Sequence, residues 1–136
     1  MGRPIVKFSE EEVLHYGLCV VNIESEGQIK KRKLKNRCKD FRSMFGSQPC
    51  VVCAIVLDLQ KETDIEYRVQ FSASDPWRSL KEVLLTMHFL KKYPDEVETK
   101  AVFGWSDRTS RDIKWKIIRC LQNLQKKKIF LTVTQW

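Results

Sequence analysis

The sequence predicts a mainly α-helical domain that ends in a helix-turn-helix, with room for one short β-hairpin or edge strand. In most of the chain apolar residues recur at spacings of three and four, and residues typical of helix starts precede these segments. With 136 residues, of which 43% are hydrophobic and 31% are charged, the chain can bury one core and is too apolar to stay unfolded. We therefore expect one multi-helix domain, or one domain with a tail.

The first helix is predicted to begin at Glu10, because Ser9 and Glu12 form a capping-box pattern ahead of apolar residues. A basic segment follows at residues 30–42, where eight side chains are Lys or Arg. Two interpretations carry equal weight: a nuclear-localisation or phosphate-binding segment, or an ordinary solvated helix face. Under the first, six side chains make secondary phosphate contacts: Lys30, Lys31, Arg32, Lys33, Lys35 and Arg37.

The middle of the chain is predicted to supply the core. Nearly every residue over 50–59 is apolar, and Ser47 and Pro49 provide helix-start chemistry before it, so we expect a buried central helix. Residues 65–71 alternate between apolar and polar side chains, which is typical of one short strand. A helix with a single apolar stripe is predicted from Pro76 to about residue 92.

The segment from about 94 to 128 has the layout of a helix-turn-helix. A short helix ends at Phe103, Gly104 permits the turn, and Ser106 caps a longer helix from 107 to about 128. At 100° per residue, one face of the longer helix is apolar and is predicted to be core: Ile113, Ile117, Cys120, Leu121, Leu124. The opposite face is basic around one tryptophan: Arg108, Arg111, Trp115, Arg119, Gln122, Lys126.

This basic face is predicted to bind double-stranded DNA. The net charge is +8 for the whole chain and +6 for residues 104–136. Arginine binds phosphates and guanine edges, and tryptophan offers a flat apolar surface. Trp115 has an alternative role of equal weight, which is packing against the N-terminal helices. The expected DNA-binding residues are Arg108, Thr109, Ser110, Arg111, Lys114, Trp115 and Arg119.

Other function classes find little support in the sequence. The cysteines number five, and the Cys50 and Cys53 pair lacks a second ligand pair, so we expect reduced thiols and no metal or other cofactor. His15 and His88 are isolated, so nothing orients a base for an enzyme that uses Cys50, and we expect no catalytic residue. The longest apolar run, 50–57, is far shorter than the roughly 20 residues of a membrane span, and no signal peptide is visible.

The tail is rich in β-forming residues, and residues 129–136 are predicted to form a short edge strand or the first part of a further strand. A rival to DNA binding is a helical protein-protein interaction domain. In that case the Trp115 stripe docks a protein partner, and the positive charge serves only solubility.

Several short segments, in their order and spacing, resemble one known arrangement. They are residues 41–46, 57–60, 87–94, 103–104 and 107–111, followed by Trp115, Gln122, Leu124, Lys128 and Ile129. Together they resemble the N-terminal region of eukaryotic DDE-superfamily transposases, across residues 32–130. In that family the region precedes the catalytic domain and binds the terminal repeats of the element. The resemblance implies that Arg108, Thr109 and Arg111 begin a recognition helix.

The chain departs from that family pattern at Asp112, where a basic residue is common, and at Ile113, where an aromatic residue is usual. The resemblance places the catalytic carboxylates in a later RNase H-like domain, so we expect no nuclease activity and a protein partner that supplies catalysis. We divide the chain into an N-terminal helix and basic segment, 1–40, and a helical DNA-binding domain, 41–136. The expected location is nuclear in a eukaryote and otherwise intracellular, with no membrane partner.

Overall fold

A computed structural model describes residues 5–25 and 32–134, and the side chains of these residues up to 127. Six α-helices are present in the described residues: α1 (Glu10–Val20), α2 (Leu34–Phe45), α3 (Pro49–Lys61), α4 (Pro76–Lys92), α5 (Glu96–Phe103) and α6 (Asp107–Thr134). A 3-10 turn, Ile65–Tyr67, lies between α3 and α4. The described residues contain no strand, and the prediction of a mainly α fold is confirmed.

The predicted caps of α1 and α6 are confirmed. At α1 the Ser9 hydroxyl accepts a hydrogen bond from the Glu12 amide at 3.0 Å, and the Glu12 carboxylate accepts one from the Ser9 amide at 2.8 Å. Asp95 caps α5, and the Ser106 hydroxyl accepts from the Thr109 amide at 3.2 Å at the start of α6. The predicted cap of α3 is wrong: the N-cap is Gln48, without a side-chain hydrogen bond.

The central helix is α4, and the prediction that α3 has this place is wrong. Helix α4 packs against α1, α2, α5 and α6, and its buried apolar side chains are Leu80, Val83, Leu84, Leu85 and Met87. Helix α3 buries only one side, while its Val51 is 42% exposed. An apolar run in the sequence predicts that a helix is buried, but it does not predict how many other helices pack against it. Helix α3 packs through one side only.

Neither predicted strand forms. The alternation over 65–71 arises because Val69 and Phe71 insert into the core from an extended segment, while Ile65 is 74% exposed. The Val69 amide donates to the Leu59 carbonyl at 3.0 Å, which attaches this segment to the end of α3 without a strand partner. At the other predicted strand, α6 continues to Thr134, because extending an existing helix adds a backbone hydrogen bond per residue.

Glu62 attaches α6 to the segment that follows α3. Its carboxylate is buried, accepts a hydrogen bond from the Asn123 amide at 2.9 Å and pairs with Lys127. The hydrogen bond from Lys127 lowers the pKa of Glu62 in spite of the opposing effect of burial. The long helix is therefore fixed by a buried charge as well as by its apolar face.

Gly17 of α1 lies directly against aromatic side chains of α2. A Cβ atom at this position would lie 2.5 Å from the Cε2 atom of Phe41, which is well inside van der Waals contact. Phe41 is fully buried and packs against Phe45 with ring centroids 4.7 Å apart, so its ring has little freedom to move. The absence of a side chain at residue 17 is thus a packing requirement.

Gly17→Ala should lower the free energy of unfolding, measured by urea denaturation. Overpacking a dense core typically costs about 1–3 kcal/mol, whereas the higher helix propensity of alanine returns at most about 1 kcal/mol. Adding Phe41→Leu to this variant should recover part of the loss, because the smaller side chain leaves room for the methyl group. A Gly17→Ala protein more stable than the wild type would contradict this packing.

His88 is a histidine of α4 that packs in the core. It is 5% exposed and lies between the rings of Phe45 and Phe103. Its Nδ1 atom has no hydrogen-bond partner in the described part of the chain. Burial, and then the charge of Lys92, lower the pKa of His88.

Acid should therefore destabilise the fold through His88. The unfolded chain takes up the proton near pH ~6.5, before the folded chain does. Stability is therefore complete above that pH and falls until folded His88 is itself protonated. Urea midpoints from pH 7.5 to 5 should fall less in His88→Gln than in the wild type. His15→Gln, which removes the other histidine, should keep the fall due to His88; equal pH profiles for His88→Gln and the wild type would refute the prediction.

Candidate nucleic-acid interface

The candidate interface is built from α5, the turn at residues 104–106 and α6. Gly104 ends α5 with φ at 79°, in the left-handed region that glycine adopts without strain, and its amide donates to the Lys100 carbonyl at 2.8 Å. Phe103 is buried beneath the turn, and α5 and α6 both pack on α4. This packing holds the start of α6 against the rest of the domain.

Helix α6 separates its two faces as the sequence predicts. Ile117 and Cys120 are buried, and three further residues pack partly buried against the core: Ile113, Leu121 and Leu124. The opposite side is exposed and holds Gln122 and the predicted basic residues Arg108, Arg111, Arg119 and Lys126. Trp115 is 53% exposed on this side, so it is not buried against the N-terminal helices.

Two of the three arginines on this face have carboxylate partners. Arg111 pairs with Glu96 at 3.1 Å and Arg119 pairs with Glu66 at 2.8 Å, and all four side chains are more than half exposed. Arg108 makes no ion pair with any described residue. Exposed ion pairs contribute at most about 1 kcal/mol, so a phosphate group can displace these carboxylates. The pairs still reduce the positive charge that the free protein presents.

Neither of the two hydroxyl residues near the start of α6 is fully exposed. Ser110 is 7% exposed, and its Oγ atom is buried without a hydrogen-bond partner among the described residues. Thr109 is half-buried, and its Oγ1 atom accepts a hydrogen bond from the Ser106 hydroxyl at 3.0 Å. The expectation that Ser110 contacts DNA is therefore wrong for this conformation, because its position faces the protein side of α6. Thr109 serves the helix cap.

Lys114 lies at the side of the basic face and not at its centre. Its ammonium group is 3.9 Å from the ring centroid of Phe89 and 5.9 Å from that of Trp115. The Phe89 ring also packs against Tyr93, with centroids 5.5 Å apart. Lys114 thereby connects an aromatic group on α4 with the exposed tryptophan on α6.

The basic segment before and within α2 contributes fewer free cations than its sequence suggests. Lys33 and Lys35 are exposed, Arg32 pairs with Asp40, and Lys30 and Lys31 lie outside the described residues. Arg37 is buried, which contradicts its predicted role as a phosphate contact. A run of basic residues in a sequence does not reveal which of them turns toward the core.

Arg37 holds α2 to α1 and to the segment that follows α1. Its Nε and Nη2 atoms donate to the two carboxylate oxygens of Glu24 at 2.6 and 3.0 Å, and Nη1 donates to Glu11 at 3.0 Å. The Glu24 carboxylate also contacts His15 Nδ1 at 3.0 Å. Burial acts to raise the pKa of Glu24, but hydrogen bonds from Arg37 and His15 lower it overall. Arg37 is therefore a structural residue.

The same cluster contains a cysteine, a histidine and a carboxylate that the sequence did not bring together. Cys19 Sγ lies 3.5 Å from Nε2 and 3.8 Å from Nδ1 of His15. Because the sulfur is nearly equidistant from both ring nitrogens, it lies beside the ring and not in line with one nitrogen lone pair. A nucleophile and its base need that alignment, so this geometry gives no support to cysteine chemistry here.

The described residues also bear on a metal site and on a membrane-spanning helix. No three His, Cys, Asp or Glu side chains among residues 5–25 and 32–134 are grouped to hold a metal ion. None of the described helices alone has the length and apolar character to cross a membrane, and the bent pair of α2 and α3 meets these criteria only jointly.

The structure also brings together pairs of cations and aromatic rings that the sequence does not predict. Arg78 and Lys81 of α4 both lie over the ring of Trp105, in the turn between α5 and α6. Arg119 lies 5.8 Å from the ring centroid of Tyr67, beside a cleft of about 110 Å³. The spacing of residues 78 and 81 indicates one helix face, but only the fold places Trp105 against it.

Comparisons with known proteins give no family for this chain. No family model matches it, and no curated protein and no solved structure is significantly similar to it. The resemblance to transposases accordingly rests on the quoted residues alone.

Proposed function

We propose that this chain is a double-stranded DNA-binding module that resembles the end-binding region of a DDE transposase. One observation carries the proposal: α6 exposes arginines around Trp115 on one side and is packed into the domain through its other side. A helix presented in this way can enter a major groove without loss of its own support.

The spacing along α6 suits a major groove. Arg108 and Arg119 are eleven residues apart, which is about 16 Å along a helix that rises 1.5 Å per residue. The groove is about 12 Å wide, so the two outer arginines can reach phosphates on both sides. Arg111 and Trp115 lie between them, where base edges and thymine methyl groups would be met.

DNA is favoured over other anionic partners by the combination of charge and shape. The last 33 residues have eight basic and two acidic side chains, and the exposed cations lie along a single helix. The Asp112 carboxylate shares this side of the helix and repels phosphate. Asp112 would therefore lie over the bases and not over the DNA backbone. In a eukaryotic cell the module would act in the nucleus, with a protein partner supplying catalysis.

A titration with labelled duplex at several salt concentrations tests the proposal. If about five phosphates are engaged, the slope of log K against log salt should be near −4.5. Affinity should then fall roughly 500-fold between 50 and 200 mM salt. Fluorescence anisotropy with random duplex gives the slope, and candidate terminal repeats then reveal specificity. A slope near zero would refute the electrostatic basis of the proposal.

Protein docking is the second candidate, because apolar side chains are exposed on α4, on α5 and between these helices as well as at Trp115. Tyr93 and Val97 are 72% and 78% exposed, and Leu90 at the end of α4 is 44% exposed. Such side chains can anchor a protein interface. Under this alternative Trp115→Ala impairs function, while loss of Arg108 and Arg111 leaves duplex binding unchanged.

A further inference from the structure

Two cations converge on one aromatic ring at the turn that precedes α6. The Arg78 guanidinium carbon is 5.5 Å from the ring centroid of Trp105, and the Lys81 ammonium nitrogen is 4.7 Å from it. Trp105 is half-buried and packs against the core, so the ring is a fixed platform. We refer to Arg78, Lys81 and Trp105 as the Trp105 clamp.

The Trp105 clamp keeps like charges close together in the free protein. Burial lowers the pKa of Lys81, and the neighbouring Arg78 charge lowers it further. Arg78 pairs with the Glu82 carboxylate, 3.8 Å from its Nε atom. Lys81 has no ion pair with any described residue. The ring attracts both cations, but it carries no charge to neutralise them. An anion between the two heads would relieve this repulsion.

We propose that the Trp105 clamp is a second phosphate site, which binds the DNA backbone beside the groove that α6 enters. This inference rests on the proposed DNA-binding function. Trp105 precedes Arg108 by three residues, so the clamp lies beside the N-terminal start of α6, where the expected DNA contacts begin. Its ligand is one phosphodiester group, held by the Arg78 guanidinium and the Lys81 ammonium above the tryptophan ring.

The test compares the wild type with Arg78→Gln/Lys81→Gln in titrations of labelled duplex at several salt concentrations. Loss of one phosphate contact should make the slope of log K against log salt less steep by about 0.9. The matched control is Lys7→Gln/Lys61→Gln, which removes two exposed charges outside α6, the Trp105 clamp and the basic segment 30–42 and should leave the slope unchanged. Far-UV circular dichroism and thermal unfolding verify that both variants are folded.

Tryptophan fluorescence reports on the clamp directly. Duplex should change the emission of the wild type, and Trp105→Phe should remove a part of this change that persists in Trp77→Phe. An equal change on adding inorganic phosphate at matched ionic strength would mean a site for free anions and would overturn the assignment to DNA.

The outcomes separate the clamp from the proposed function. An unchanged salt slope in Arg78→Gln/Lys81→Gln, together with lost binding in an Arg108 and Arg111 variant, overturns the clamp and leaves DNA binding by α6 in place. A wild-type chain that binds no duplex overturns both. A shallower slope for the clamp variant with the control unaffected supports the second phosphate site.

Discussion

Arg37→Met should lower the free energy of unfolding by about 3–5 kcal/mol, the usual loss when one partner of a buried ion pair is removed. The Glu24 side chain is only 2% exposed, so without Arg37 its charge loses its principal partner. His15 still contacts Glu24, but His15 lies in α1 and therefore does not replace the connection to α2. The expected loss is therefore among the largest for any single substitution in this chain.

Chemical denaturation of three variants measures this effect. Arg32→Met removes an exposed pair with Asp40 and should cost less than about 1 kcal/mol, which makes it the matched control. Adding Glu24→Gln to Arg37→Met should restore part of the stability, because it removes the unpaired charge. If Arg37→Met and Arg32→Met are equally stable, the cluster is not the connection described here.

The pH dependence of this pair has a definite sign. Folding lowers the pKa of Glu24, so the stabilisation is complete above the pKa of the unfolded group, ~4.3. It is lost as the pH falls from there through the lower pKa of the folded state. This window lies below the one expected for His88, so the two effects can be separated in a single set of denaturation curves.

Arg108→Ala/Arg111→Ala should abolish most duplex binding while the fold is retained. Arg111 is placed over a base, where an arginine is worth about 1–3 kcal/mol, and the lost Arg108 contact to phosphate adds to this, so the pair should weaken binding at least about tenfold. Both side chains are exposed, and neither belongs to the core. Removing Arg111 also releases Glu96, whose free charge then repels the backbone and adds to the loss.

Anisotropy at fixed salt measures this loss, with Lys7→Ala/Lys61→Ala as the control for a general decrease of two charges. The control variant should bind duplex nearly as the wild type does, because its charges lie outside α6 and outside the basic segment 30–42. Equal weakening in both variants would mean that net charge alone drives binding, and the assigned role of α6 would then be wrong.

Helix positions could be predicted from the sequence because their signals are local. Ser9, Asp95, Ser106 and Gly104 act on backbone groups within four residues, and each marks the helix end that the structure shows. The two faces of α6 follow in the same way from its periodicity. These features need no knowledge of what surrounds the helix.

The remaining features depend on neighbours that are distant in the chain. The apolar run of α3 resembles a central helix, but the bundle places α4 there. Arg37 looks like its basic neighbours until Glu24 and Glu11 are positioned against it. Arg119 and Glu66 are likewise 53 residues apart. Partner choice of this kind is set by tertiary packing, which a single sequence does not display.

One side of α6 contributes to folding and the other side is exposed, and this separation makes the chain a practical scaffold. Folding draws on residues such as Ile117 and Cys120, whereas Arg108, Arg111, Trp115 and Arg119 point away from them. Substitutions at the outer positions leave the buried apolar area intact. A library randomised at these four sites could therefore be selected for new target sequences while the bundle that carries them is left alone.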